Sequence, residues 1–157
     1  MVMYIQTFFL VCADEVEIQG CTSSTEYSAD KSCAMVFDKN IYADTTDWVT
    51  NNEGAGAWIQ LDFKQFYEIE SLEIRHRSQG TAMRFKEIIL EFSNGNSHYY
   101  SLNDDPMISN KVVFLKRIVS DFLRITATSA YGTFDNGYSD IKVFGCILGN
   151  GSLEIYN

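Results

Sequence analysis

Proline, histidine and positive charge are all scarce in this chain, and each scarcity narrows what the protein can do. There is one proline, Pro106, and there are two histidines, His76 and His98, in 157 residues. Neither histidine stands in an HExxH pattern, and the chain also lacks a GxSxG elbow and a glycine-rich phosphate loop. Carboxylates are plentiful, but no pair is marked out as general acid and base. An enzyme is therefore not expected. Lysine and arginine total 12 against 21 acidic residues, for a formal net charge of −9. Phosphate backbones and anionic bilayer faces repel such a surface, which excludes nucleic acid and disfavours a membrane surface. Long apolar runs are missing too. The longest, Val2 to Ala13, is too short to cross a bilayer. Linker-like segments, low-complexity stretches and solenoid repeats are absent as well.

What is present suits one compact domain. Apolar residues make up 46% and aromatics 14% of the sequence, enough to bury a core at this length. The apolar spacing is mostly two, the period of a half-buried strand. Ala57–Phe63, Glu70–Arg77, Lys86–Phe92, Lys111–Leu115, Phe122–Thr128 and Asp140–Phe144 all read as strands. Asn94-Gly95 tolerates the positive φ of a tight hairpin, so His98–Leu102 is expected to pair back on the preceding strand. Many short strands separated by turns, without a long amphipathic helix, predict an all-β sandwich or barrel. Trp58 is expected in its core, and so is His76, which shares parity with Leu72 and Ile74.

The N-terminus admits two readings. Val11 and Ala13 have the small-residue spacing of a signal-peptidase site before Asp14, whereas Ile5, Thr7, Phe8, Phe9 and Val11 are good strand formers. Residues 1–13 are thus a signal peptide or a first strand, and 14–157 form the domain. Four cysteines, Cys12, Cys21, Cys33 and Cys146, are not spaced as CxxC, which argues for disulfides and an extracellular, secreted or cell-surface location. Cleavage after Ala13 would remove Cys12 and leave an odd number. The sequon Asn150-Gly151-Ser152 fits secretion.

Two segments carry binding chemistry. Asp38 to Asp47 is rich in oxygen donors, the ligands calcium prefers. Arg75, Arg77, Arg84 and Lys86 fall close together in sequence, which predicts either one local site for an anion or for hydroxyl groups or a solvated strand face.

Taken in order, several pieces resemble the coagulation-factor type C domain, also called the discoidin domain, of the galactose-binding-like jelly rolls. Cys21-Thr22-Ser23-Ser24 is similar to the family's opening "ASS". Ala34 to Asn40 is similar to its "AxxxDGN" loop, and Thr46-Asp47-Trp48 to "T-x-W". Ala57 to Phe63 is similar to "W-x-x-x-DLG", and Arg124-Ile125 with Asp140 to Cys146 to "RI … E-I-x-V-x-G-C".

The resemblance implies a jelly-roll β-sandwich whose loops at one end bind ligand. It implies a structural calcium held by Asp38, Asn40, Thr46 and Asp140, with Lys39 where the family usually has glycine and Asp140 where it has glutamate. It implies a carbohydrate site built on Arg77 and Arg84, spaced as in the R-x-D-x-x-x-x-R of fucose lectins but with Gln79 at the aspartate position. No upstream histidine matches, and Asn51 and Asn52 stand in its place. Asn136 matches an asparagine used for sugar hydroxyls, and Tyr131 and Phe134 flank it as stacking surfaces. The family also closes its termini with a bond from an early cysteine, Cys12 or Cys21, to Cys146. The expected partner is a glycan or, as the alternative, a cell-surface protein. A phospholipid-binding module ranks third.

Overall fold

The computed structural model describes residues 14–39, 46–77, 83–132 and 134–148. The N-terminal run with Cys12, the calcium candidate Asn40, the 78–82 connection and the Asn150 sequon lie outside the described residues. In chain order the strands are β1 (Asp14–Glu15), β2 (Ile18–Ser23), β3 (Trp48–Val49), β4 (Trp58–His76), β5 (Phe85–Phe92), β6 (Ser97–Ser101), β7 (Asn110–Ala130) and β8 (Gly137–Ile147). Two short 3-10 turns, Ala29–Lys31 and Cys33–Phe37, are the helical segments among the described residues.

Two long bent strands make the sandwich. The first part of β4, Trp58–Asp62, pairs with β2 on one side and with Phe122–Thr126 of β7 on the other. Its last part, Tyr67–His76, pairs with the beginning of β7 and with β8. Register shifts between Asp62 and Tyr67 and between Ile69 and Ser71 mark the bend. Lys64, Gln65 and Phe66 lie exposed there, since an irregular register turns the strand and breaks its in–out alternation. One layer therefore reads β2, β4, β7, β5, β6, and the other reads β7, β4, β8, β1, with β3 added along β8. Among the described residues the eight strands pair antiparallel throughout. The all-β jelly-roll expectation holds. The strands expected at 57–63 and 70–77 are two arms of β4, and those at 111–115 and 122–128 are two arms of β7.

The core lies between the layers. Ile59 and Leu61 of β4, Ile88 and Leu90 of β5, Leu123 and Ile125 of β7 and Val143 of β8 are all buried. Each contributes on the order of 1.5–3 kcal/mol by leaving water. The aromatic centre is Trp48, Phe85 and Tyr138, with ring centroids 5.0–6.0 Å apart. Trp48, not Trp58, is the tryptophan of the core. Trp58 has the parity of Gln60 and Asp62 and lies on the outer face of its layer, under the Arg124 guanidinium. The hairpin forms as expected at Asn94-Gly95, where Gly95 takes φ 83°.

Cys21 is bonded to Cys33 across a Cα separation of 6.0 Å. Cys21 is therefore not the partner of Cys146, which is itself disulfide-bonded. The Cys21–Cys33 bond ties β2 to the second 3-10 turn and so fixes the segment leading to Asp38.

Candidate functional site

Segments 24–31, 47–54, Arg77 just after β4, and 134–136 with 131–132 converge at one end of the sandwich. Their backbones are tied together by specific bonds. Tyr27 N–H donates to Val49 O at 2.8 Å and Thr50 N–H to Asn136 O at 2.9 Å. Trp48 Nε1 donates to Thr25 O at 3.1 Å. The Glu53 carboxylate accepts from the hydroxyls of Ser24 and Thr25 at 2.5 and 2.9 Å. A half-buried carboxylate satisfied by short side chains pins two loops at once.

Arg77 sits at the floor of this end, almost completely buried. Its Nη1 donates to Asp135 O at 2.5 Å, and its Nε lies 3.8 Å from the buried Asp47 carboxylate. A hollow of about 230 Å³ opens above it, lined by Tyr27, Lys31, Val49, Arg77, Met83 and Asp135. Asn51 and Asn52 are exposed beside it. Asn52 N–H donates to Asp135 Oδ1 at 3.2 Å, and the Asn52 amide donates to Asn51 Oδ1 at 2.9 Å. Phe134 is 58% exposed and Tyr131 39%. The Tyr131 hydroxyl donates to Leu102 O at 3.0 Å, and Lys86 Nζ lies 5.9 Å from its ring centroid.

Two expected ligand residues do not line the hollow. Asn136 is fully buried, with its amide donating to Glu53 O at 2.9 Å, so it holds the 50–54 loop beneath the surface. Arg84 faces Asp104, donating from Nη1 to the backbone and carboxylate oxygens at 2.5 and 2.6 Å. It fixes the 102–105 turn and does not line the hollow beside Arg77. His76 is buried as expected and bonded through Nε2 to Asn103 O at 2.9 Å. Burial, assisted by Arg84, pulls its imidazole down to about 4. It is neutral at physiological pH and sealed from solvent, unlike a working general base.

Of the oxygen-donor segment, Asp47 faces Arg77, whereas Asp38 does not line the hollow. Asp38 ends the second 3-10 turn, and Lys39 takes φ 66°. That is the left-handed conformation for which a glycine is usual. The Asp140 carboxyl is raised by burial first, and Glu15 and Asp38 add to the rise against the lowering influence of Lys142 and Arg75. Asp38 and Asp140 are thus within electrostatic reach, and Lys142 Nζ lies 3.8 Å from Asp140. Their oxygens are of the type calcium takes. Among the described residues, no group of three or more His, Cys, Asp or Glu is placed to hold a metal ion. Thr46 is half-buried at the start of the next segment.

The F5/8 type C domain pattern matches residues 20–141, a span that runs from the disulfide-tied β2 to the final strand. The chain belongs to the F5/8 type C domain family. No curated protein matches it. Solved structures share its fold at low identity. A family 32 carbohydrate-binding module from C. perfringens NanJ, solved in complex with galactose, is 17% identical, with a TM-score of 0.69 over 83% of this chain and 99% of that one. A Streptococcus pneumoniae fucose-binding module is 17% identical, with a TM-score of 0.65 over 83% and 96% of the two chains. A fucolectin from striped bass (Morone saxatilis) serum is 17% identical, with a TM-score of 0.69 over 84% of this chain and 49% of that one.

In this F5/8 type C domain the residues that build the candidate end include several outside the expected sugar-ligand set. Asp47 and Asp135 position Arg77, and Glu53 ties the loops. Tyr27 and Met83 line the hollow. Asp47 carried a usable signal, since it directly precedes the core Trp48 and an acid so placed needs a cation.

Proposed function

We propose that this F5/8 type C domain is an extracellular, non-catalytic module that binds carbohydrate at the Arg77 end. The observation that carries the reading is the fixed guanidinium of Arg77 under a small hollow, with exposed aromatic rings on the adjoining 131–136 loop. A charged donor gives hydroxyls strong hydrogen bonds, and an aromatic ring covers the C–H face of a sugar. Asn51 and Asn52 supply further amide donors and acceptors at the rim. The sugar-bound relatives support the same reading at the level of the fold. Disulfides at Cys21–Cys33 and at Cys146 support an oxidising compartment.

Calcium is the second part of the proposal. Asp38 and Asp140, with Thr46 and Asn40, would supply its oxygens, and a cation there would offset the repulsion between the two carboxylates. The test of the carbohydrate reading is a glycan array probed with the parent and with Phe134→Ala. The parent is expected to bind a defined set of sugars and the variant to lose it. An empty array from folded parent protein would overturn the reading.

A further inference from the structure

The outer face of the β2–β4–β7–β5–β6 layer carries a second arrangement that uses none of the residues of the Arg77 end. Its registers place side chains in rungs across the strands. Trp58 pairs with Thr126, Thr126 with Ile89 and Ile89 with Tyr99. The next rung is Gln60, Arg124, Glu91 and Ser97. Directly paired residues share a face, as do residues two apart along a strand, so both rungs point to solvent.

Arg124 is the unusual member. Its guanidinium carbon lies 3.8 Å from the Trp58 ring centroid, which holds the planar group in a fixed orientation. Among the described residues it makes no hydrogen bond or ion pair, although carboxylates stand close by in the ladder. Glu91 is turned to Thr126, accepting its hydroxyl at 3.0 Å, and Asp62 accepts from the Gln60 amide at 2.8 Å. The guanidinium instead lines a hollow of about 310 Å³ together with Gln60, Glu91, Asn96, Ser97 and Phe122. Tyr99, 78% exposed, stands on the neighbouring rung.

This set of groups selects its ligand. Arg124 offers donors only, Glu91 and Asp62 offer acceptors, and Phe122 and Tyr99 offer ring surface. A free anion would meet Arg124 but also the two carboxylates and a chain of net charge −9. An apolar peptide would leave the polar lining without partners. A hydroxyl both donates and accepts, and a sugar ring has an apolar face as well. We infer that this sheet face is a second binding site, for a neutral saccharide chain lying across the strands over Arg124 and against Tyr99. From Trp58 to Tyr99 is three strand spacings, roughly 14 Å, which suits linked rings better than a single one.

The inference stands on its own residues and survives or fails separately from the proposal at the Arg77 end. The test uses Phe134→Ala protein, which lacks the ring most exposed on the loop beside Arg77. It is titrated with neutral hexaoses of glucose, xylose, mannose and galactose, and with hexagalacturonate. At least one neutral hexaose is expected to bind. Arg124→Gln and Tyr99→Ala, added singly, are each expected to weaken it tenfold or more with the melting temperature unchanged. Tyr99 is exposed enough that its removal leaves folding intact should Arg124→Gln not. Binding of no neutral hexaose, binding indifferent to both substitutions, or preference for the uronate would each overturn the inference.

Discussion

Arg77 shows how a residue can belong to a site and to the fold at once. Its guanidinium is almost entirely enclosed, with Asp135 O on one side and the Asp47 carboxylate on the other. Removing one member of a buried ion pair leaves a charge in a poorly solvated place, at a cost of roughly 3–5 kcal/mol. Arg77→Ala is therefore expected to lower stability by about that amount, read as a lower midpoint in urea at an unchanged slope. A midpoint equal to the parent's would show that the Asp47 contact carries no stability. Loss of ligand binding in that variant would not separate chemistry from unfolding, which makes the exposed Phe134 the cleaner probe. Asn136 illustrates the same point from the sequence side. Its type and place suggest a ligand for hydroxyls, but its amide spans to Glu53 O, 83 residues away in sequence. No local pattern encodes that contact.

At the scale of elements, alternation is the most readable signal, and it settles the face of each residue as well as the strand. Ile59, Leu61 and Phe63 are buried as the period of two requires, and the same period puts Trp58 with Gln60 and Asp62 on the outer face. Hydrophobicity alone drew Trp58 inward, while parity and the cation of Arg124 keep it out. The continuity of β4 and β7 was not readable, because the bend at Lys64–Phe66 is a run of exposed residues that looks like a loop. The tight meeting of β3 and β8 was equally hidden. A Cβ on Gly137 would lie 1.9 Å from Trp48 O and 3.2 Å from Val49 Cα, both backbone atoms. Gly137→Ala must push β3 away from β8 and with it the 50–54 loop. A destabilisation of about 1–3 kcal/mol is expected, measured by chemical denaturation. A variant as stable as the parent would show that β3 does not depend on this approach.

For the molecule as a whole, the sandwich is a rigid base on which separate loops and faces can be assigned separate tasks. Fold class and the family's segment order were legible from end to end, since they rest on strand periodicity and a few short motifs. The site was legible only in part, as it is assembled from segments far apart in the chain. Arg77 and Asn52 meet through Asp135, and Phe134 is exposed next to Asp135 in the chain, whereas Tyr131 and Arg84 both reach the 102–105 turn.

The calcium proposal is also a whole-molecule property, because a cation bound only by the folded state stabilises all of it. At a hundredfold excess over its dissociation constant the gain is about 2.7 kcal/mol, or roughly 5–10 °C in Tm for a chain of this size. Melting with calcium and with a chelator is expected to differ by that much. Coincident curves would remove the metal from the account.

The central claim is that carbohydrate binds at the Arg77 end, and calorimetric titration of the strongest array sugar into parent and Phe134→Ala protein tests it most directly. Saturable binding by the parent, weakened at least about tenfold (about 1.4 kcal/mol) in the variant at equal Tm, is the predicted result. Equal affinity in the two proteins would contradict it.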